Sequence, residues 1–230
     1  MDTYLTRRLA ASTAIAGSIC ALTGAALWGA SGADIDRALA SGEIAAYLTT
    51  AGAHTGMLVA NLTIWMVMAF LLGIAATAMS ALCTQRRLLA SVATYCYWTG
   101  VPLVLASYVA WLAVVVQVAP DTSPAAVLIT ETVGWFASRA DWVATILIVG
   151  IGPTFLSAAG RGEWVPTWLA RWGALTACAA ALNAVAMLTG GAGLSTYGFL
   201  IIPLGVGWML AAGIVLARGG GAPTRSIPAA

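Results

Sequence analysis

Long apolar runs separated by short polar breaks dominate the chain. After Arg7 and Arg8 an uncharged stretch continues to about Ala30, and residues 51–82 contain no Asp, Glu, Lys or Arg. Further apolar runs cover about 89–118, 142–159, 167–189 and 196–217. A helix of roughly 20 apolar residues crosses a hydrocarbon core about 30 Å thick. The pattern therefore predicts an all-α fold, a polytopic bundle of six transmembrane helices. The first run, with its basic start and the Ser31-Gly32-Ala33 that follows, also has the outline of a signal peptide. Its length favours a retained first span.

The breaks carry the local detail. Residues 31–50 are polar enough to leave the membrane, and Asp34 or Asp36 is placed to cap a short helix ending near Tyr47. Cys83-Thr84-Gln85-Arg86-Arg87 ends the second span. Gly100-Val101-Pro102 predicts a kink in the third, and Ala119-Pro120-Asp121-Thr122-Ser123-Pro124 is a strong turn signal. Residues 125–142 mix Val127, Leu128, Trp135 and Phe136 with Glu131 and Arg139, which predicts an amphipathic helix lying at the interface. Asp141 is expected to cap the fourth span. Gly190-Gly191-Ala192-Gly193 reads as a tight turn, and the 218–230 tail as disordered. The stripe Ala10, Ala14, Gly17, Ala21 and Gly24 allows a neighbouring helix to approach the first span closely.

Composition agrees. The chain has 230 residues, of which 61% are hydrophobic and 8% charged, far below the roughly 25% charged residues of soluble domains. Every basic residue is Arg, which together with the abundant Ala and Gly is expected of a high-GC bacterial genome. Placing Arg7, Arg8, Arg86, Arg87, Arg161, Arg171, Arg218 and Arg225 inside leaves only Arg37 and Arg139 outside. Both termini are then cytoplasmic, in a multi-pass protein of the bacterial inner membrane. Residues 1–217 form one transmembrane domain. Two three-span halves of opposite topology permit an inverted repeat, although the flanks of Pro102 and Pro203 share little. A net charge of +2 with no basic stripe excludes nucleic acid as a partner.

Candidate chemistry is sparse. His54 and Asn61 are two helical turns apart and share a face with Trp65, and polar groups in a span usually face the bundle interior. Glu131 and Asp141 are placed on the same side of the membrane as His54, so an acid–base pairing is allowed. Trp135, Tyr97 and Tyr108 are candidate walls of an aromatic pocket. Helix–helix hydrogen bonding, capping and packing are the plainer roles for all of these residues. Cys20, Cys83, Cys96 and Cys178 lie in separate segments without metal-ligand spacing, so no metal and no cofactor are expected. The lack of lysine excludes a Walker-type phosphate loop and a retinal Schiff base, and the single histidine excludes bis-histidine haem. Gly193-Leu194-Ser195-Thr196-Tyr197-Gly198 lacks the second glycine spacing and a later histidine needed for a serine-nucleophile turn. No span, with the fourth beginning at Trp142, carries a carboxylate at its middle.

Glu163-Trp164-Val165-Pro166-Thr167-Trp168-Leu169-Ala170-Arg171-Trp172-Gly173 precedes an Ala/Leu-rich span. The final span carries Pro203-Leu204-Gly205-Val206-Gly207-Trp208 and Gly213-Ile214-Val215-Leu216. These blocks resemble a family of small six-helix bacterial membrane proteins carried as a domain of unknown function. The resemblance covers mainly the last third and implies a fold and a membrane location.

The expected function is non-enzymatic binding or transport of a small apolar or amphipathic molecule. The alternatives are an intramembrane isomerase or cyclase acting on an isoprenoid-like substrate, or an accessory subunit packed on another membrane protein. In every case the bilayer is a partner.

Overall fold

A computed structural model of the chain describes residues 2–189 and 193–219. Side chains from Thr189 to Phe199 lie outside the described set. The turn at 190–192, the tail beyond 219 and the side chains of the 193–198 motif are therefore outside the described residues.

Helix α1 spans Thr3–Ser31, with the Asp2 carboxylate accepting from the Tyr4 amide at 2.9 Å and Gly32, at φ 65°, ending it. Two short helices follow, α2 (Ile35–Ser41) and α3 (Ile44–Ala53). Asp34 caps α2 through the Arg37 amide, and Gly42 turns the chain at φ 77°. Helix α4 spans Thr55–Ala81 and α5 Arg87–Val118. Helix α6 runs from Pro124 to Gly160, α7 from Thr167 to Thr189 and α8 from Gly193 to Ala217. Six of these, all but α2 and α3, are long and apolar enough to cross a membrane.

Successive spans are neighbours, and α8 returns to pack on α1, closing a ring. One end of the ring carries the N-terminus, the α4–α5 loop and the α6–α7 loop; this is called the near end. The far end carries α2, α3 and the turn before α6. Large apolar side chains such as Ile19, Phe70, Val109 and Leu182 stand exposed around the outside, as a lipid-solvated surface requires. Inside, packing depends on small residues rather than large ones. Ala10, Ala14, Gly17, Ala21 and Gly24 are all buried on α1, and Gly17 lies against Leu72 of α4. The whole predicted stripe is therefore an internal packing face.

Three expectations are corrected. Residues 125–142 do not form a separate helix at the interface: they are the first half of α6, continuous with the fourth span. Nothing at 139–143 breaks a helix, and Thr130, Gly134, Ala137 and Ser138 give this half a small face that packs into the bundle. Asp141 is consequently no cap but the eighteenth of 37 residues (124 to 160), so a span does carry an internal carboxylate. The second span begins at Thr55, because the chain bends at His54 between α3 and α4. Pro102 lies inside the α-helical part of α5, and π-helical segments occur at Val114–Val118 and Ile146–Ile151.

The near end is tied shut. The Glu163 carboxylate accepts from the Thr84 amide at 2.8 Å, the Gln85 amide at 3.1 Å and the Thr84 hydroxyl at 2.8 Å. Arg86 donates to the Ala158 carbonyl at 2.7 Å, and the Trp164 indole to Cys83 Sγ at 3.3 Å. Partial burial pushes the Glu163 carboxyl upward, but the donors from Thr84 and Gln85, with Arg86 beside them, outweigh it and hold the group below its usual range.

Candidate functional site

At the far end the ring encloses a cavity of about 380 Å³. Its walls come from elements distant in sequence: Trp28 of α1, Asp36 of α2, Tyr47 of α3, Asn61 and Trp65 of α4, Tyr108 and Trp111 of α5, Asp141 and Trp142 of α6, and Pro203 of α8. On α4 the lining runs from Leu58 to Met68. Ten residues of helix rise about 15 Å, so the cavity descends from the far end to the middle of the span.

The polar floor plan is set by helix geometry. Asn61 and Trp65 are four residues apart and share one face of α4. Asn61 Nδ2 donates to the Gly24 carbonyl at 2.6 Å, tying α4 to α1 where Gly24 gives the Trp65 ring room. Tyr108 and Trp111 are one turn apart on α5. Trp65, Tyr108 and Trp111 form a continuous aromatic wall, with ring centroids 6.3 and 5.2 Å apart. Val115, Ile148 and Val149 bring the two π-helical segments onto the lining. A π turn rotates the following side chains relative to α winding and recurs at functional sites.

The carboxylates meet at the mouth. Asp36 accepts a short hydrogen bond from the Ser138 hydroxyl and another from the Trp142 indole at 3.3 Å, both on α6. Burial pushes its carboxyl above the usual range; Ser138 and Trp142 resist and neighbouring Asp34 adds to the rise. Tyr47 is raised as well, by burial first and then by Asp34 and Asp36. Tyr108 of α5 and Asp141 of α6 share the lining with Asp36.

The structure gathers Asn61, Trp65, Tyr108 and Asp141 at this cavity and places the other candidates elsewhere. His54 is exposed at the α3–α4 bend and lies off the lining. Glu131 is exposed on α6, one face away from the cavity. Trp135 carries the Arg139 guanidinium 4.6 Å above its ring. Tyr97 is fully buried between α5 and α6, against Gly152, with its hydroxyl unpartnered. The His54–carboxylate pairing that the sequence allowed is absent: His54 lies off the lining, where Asp36, Asp141 and Tyr108 are found.

Asp36 was read only as a possible cap. The clue available in sequence was redundancy: Asp34 suffices to cap α2, so a second acid two residues later was free for another task. Cys20, Cys83, Cys96 and Cys178 are free thiols, and no metal-binding cluster of His, Cys, Asp or Glu occurs among the described residues.

The cavity also has a side opening. Nearer the N-terminus, α1 and α8 are in close contact: Gly213 packs on Ala11, Ala14 and Ile15, and the Ser18 hydroxyl donates to the Val206 carbonyl at 3.3 Å. Above that bond Leu22 and Ala25 on α1 and Ile202 and Pro203 on α8 line the cavity. Leu22 is 57% exposed and Ala25 and Pro203 are exposed too, so this side of the cavity reaches the outer, lipid-facing surface. No protein-family profile, no curated protein and no solved structure matches this chain, so the reading of the site rests on its geometry.

Proposed function

We propose that this integral membrane protein binds, and by binding moves or presents, a small amphipathic molecule drawn from the bilayer. The observation that carries the reading is the cavity of about 380 Å³, mostly apolar along its walls, with carboxylates on its lining and with the exposed Leu22, Ala25 and Pro203 on its outer side. Its size and its few convergent polar groups match those of small-molecule sites. Glu163 and Arg86 tie the near-end loops together while the cavity lies toward the far end, an asymmetry that supports one face of a carrier cycle. If the arginine-rich near end is cytoplasmic, the cavity lies toward the opposite side of the membrane.

Native mass spectrometry of the protein released from its own membrane, compared with Ala25→Trp, tests this. Ala25 is exposed and lines the opening, so a bulky ring fills the gap without displacing core. The wild type should carry a bound amphiphile and the variant should lose most of it. Equal content in both, or none in either, would overturn the reading. A second reading as an intramembrane acid catalyst keeps one supporting feature, Asp141 and Tyr108 together on a largely apolar lining.

A further inference from the structure

The cavity lining is chemically one-sided. Among the described residues it carries three carboxylates, Asp34, Asp36 and Asp141, and neither Arg nor His. Lysine is absent from the chain altogether. Arg139 stands beside Asp36 but is stacked on Trp135 and lies off the lining. Ser138 and Trp142 give Asp36 hydrogen bonds, but as neutral donors they supply no counter-charge. A charge held in an apolar cavity is costly until a counter-charge reaches it.

The opposite wall is suited to supply a cation's remaining needs. Trp28, Tyr47, Trp65, Tyr108, Trp111 and Trp142 surround the acids, and the faces of such rings attract ammonium groups. Trp111 adds an independent observation. It is 8% exposed, lines the cavity, and its Nε1–H has no partner. A buried indole donor without an acceptor is unusual, and a ligand oxygen would satisfy it.

Resting on the binding reading above, we infer that the ligand is a single-chain amphiphile with an ammonium head and an acceptor oxygen beside it. The head sits between Asp36, Asp141 and the Trp65–Tyr108–Trp111 wall. The tail leaves on the side of the exposed lining residues Leu22, Ala25 and Pro203, into lipid.

The test uses the full chain in an uncharged detergent, with native mass spectrometry counting bound probe at equal, sub-micellar concentrations. The probes are tetradecyltrimethylammonium, its 2-hydroxyethyl-dimethylammonium analogue, tetradecanol and tetradecyl sulfate. The ammonium probes should bind roughly tenfold or more tightly than the alcohol, the sulfate weakest, and the hydroxyethyl analogue best. Asp36→Asn and Asp141→Asn, which keep side-chain shape, should shrink the preference over the alcohol several-fold, and Trp111→Phe should remove the advantage of the hydroxyethyl group. Alcohol or sulfate binding as well as ammonium would overturn the charge assignment while leaving the cavity a binding site. So would a preference that survives both Asn variants. Failure of every probe to bind would remove the binding reading itself. The ranking on wild-type protein decides the matter even if a variant does not fold.

Discussion

At the scale of single residues, Asp36 and Glu163 show opposite electrostatic designs. Each is a carboxylate bonded to a segment distant in sequence, but Asp36 is pushed above its usual range by burial while Glu163 is held below it by amide donors. The consequences for stability have opposite signs. For Asp36 the folded state binds the proton more tightly than the unfolded chain, so ionisation destabilises the fold as pH rises past the unfolded value of 3.8. Asp36→Asn should therefore raise the melting temperature at pH 7.5, and the gain should vanish near pH 3; a lower melting temperature at pH 7.5 would contradict this. For Glu163 the contribution is present above the unfolded value of 4.5 and disappears as pH falls through the lower folded value. Glu163→Gln should cost about 1–2 kcal/mol at neutral pH, discounted for solvent at the loop, with the gap to wild type closing in acid. Thermal unfolding in detergent across pH measures both.

At the scale of elements, the bundle depends on close helix approach. Gly205 of α8 leaves no room for a Cβ, which would run into the Val149 carbonyl on the π-helical part of α6. Gly205→Ala should lower stability by about 1–3 kcal/mol, as expected of overpacking against backbone, and should disturb the cavity wall at Val149 and Val206. Gly29 has open space around it, so Gly29→Ala is the control expected to leave stability close to wild type or slightly higher. Comparable melting temperatures for both variants would show that the α6–α8 contact is looser than described. The Asn61–Gly24 bond between α4 and α1 works similarly in polar currency: Asn61→Leu should cost about 0.5–2 kcal/mol.

At the scale of the whole molecule, threading is the property with consequences for function. If the arginine-rich near end is cytoplasmic, a cysteine-reactive, membrane-impermeant reagent applied to intact cells should label a Cys introduced at Glu131 and spare one introduced at Arg161. Both positions are exposed, so burial does not confound the comparison. The reverse pattern would invert the protein and turn the cavity toward the cytoplasm.

Span number was legible because each apolar run has too few polar groups to remain in water, whatever its neighbours. The α1 stripe was legible because small residues at three- and four-residue spacing mark a packing face. The continuity of α6 was not, since the polar residues of its first half suit an interfacial helix and a helix packed on α2 and α3 equally well. The site was legible only in part. Asn61, Trp65, Tyr108 and Asp141 stand out as polar or aromatic groups in or beside apolar runs. Whether such a group turns inward depends on helix rotation and on where a π turn falls, as the exposed His54 and the packed Tyr97 show.

The amino-acid order by itself determined that the chain is solvated by lipid, where it re-enters water, and which loops hold the arginines. Those properties are sums of local transfer free energies. Tertiary structure alone decided that Asp36, Tyr108 and Asp141 line one cavity, and that Leu22, Ala25 and Pro203 form its outer side. The reason is that convergence of groups on five or six helices is set by side-chain packing between them, a relation among distant residues that no local pattern records.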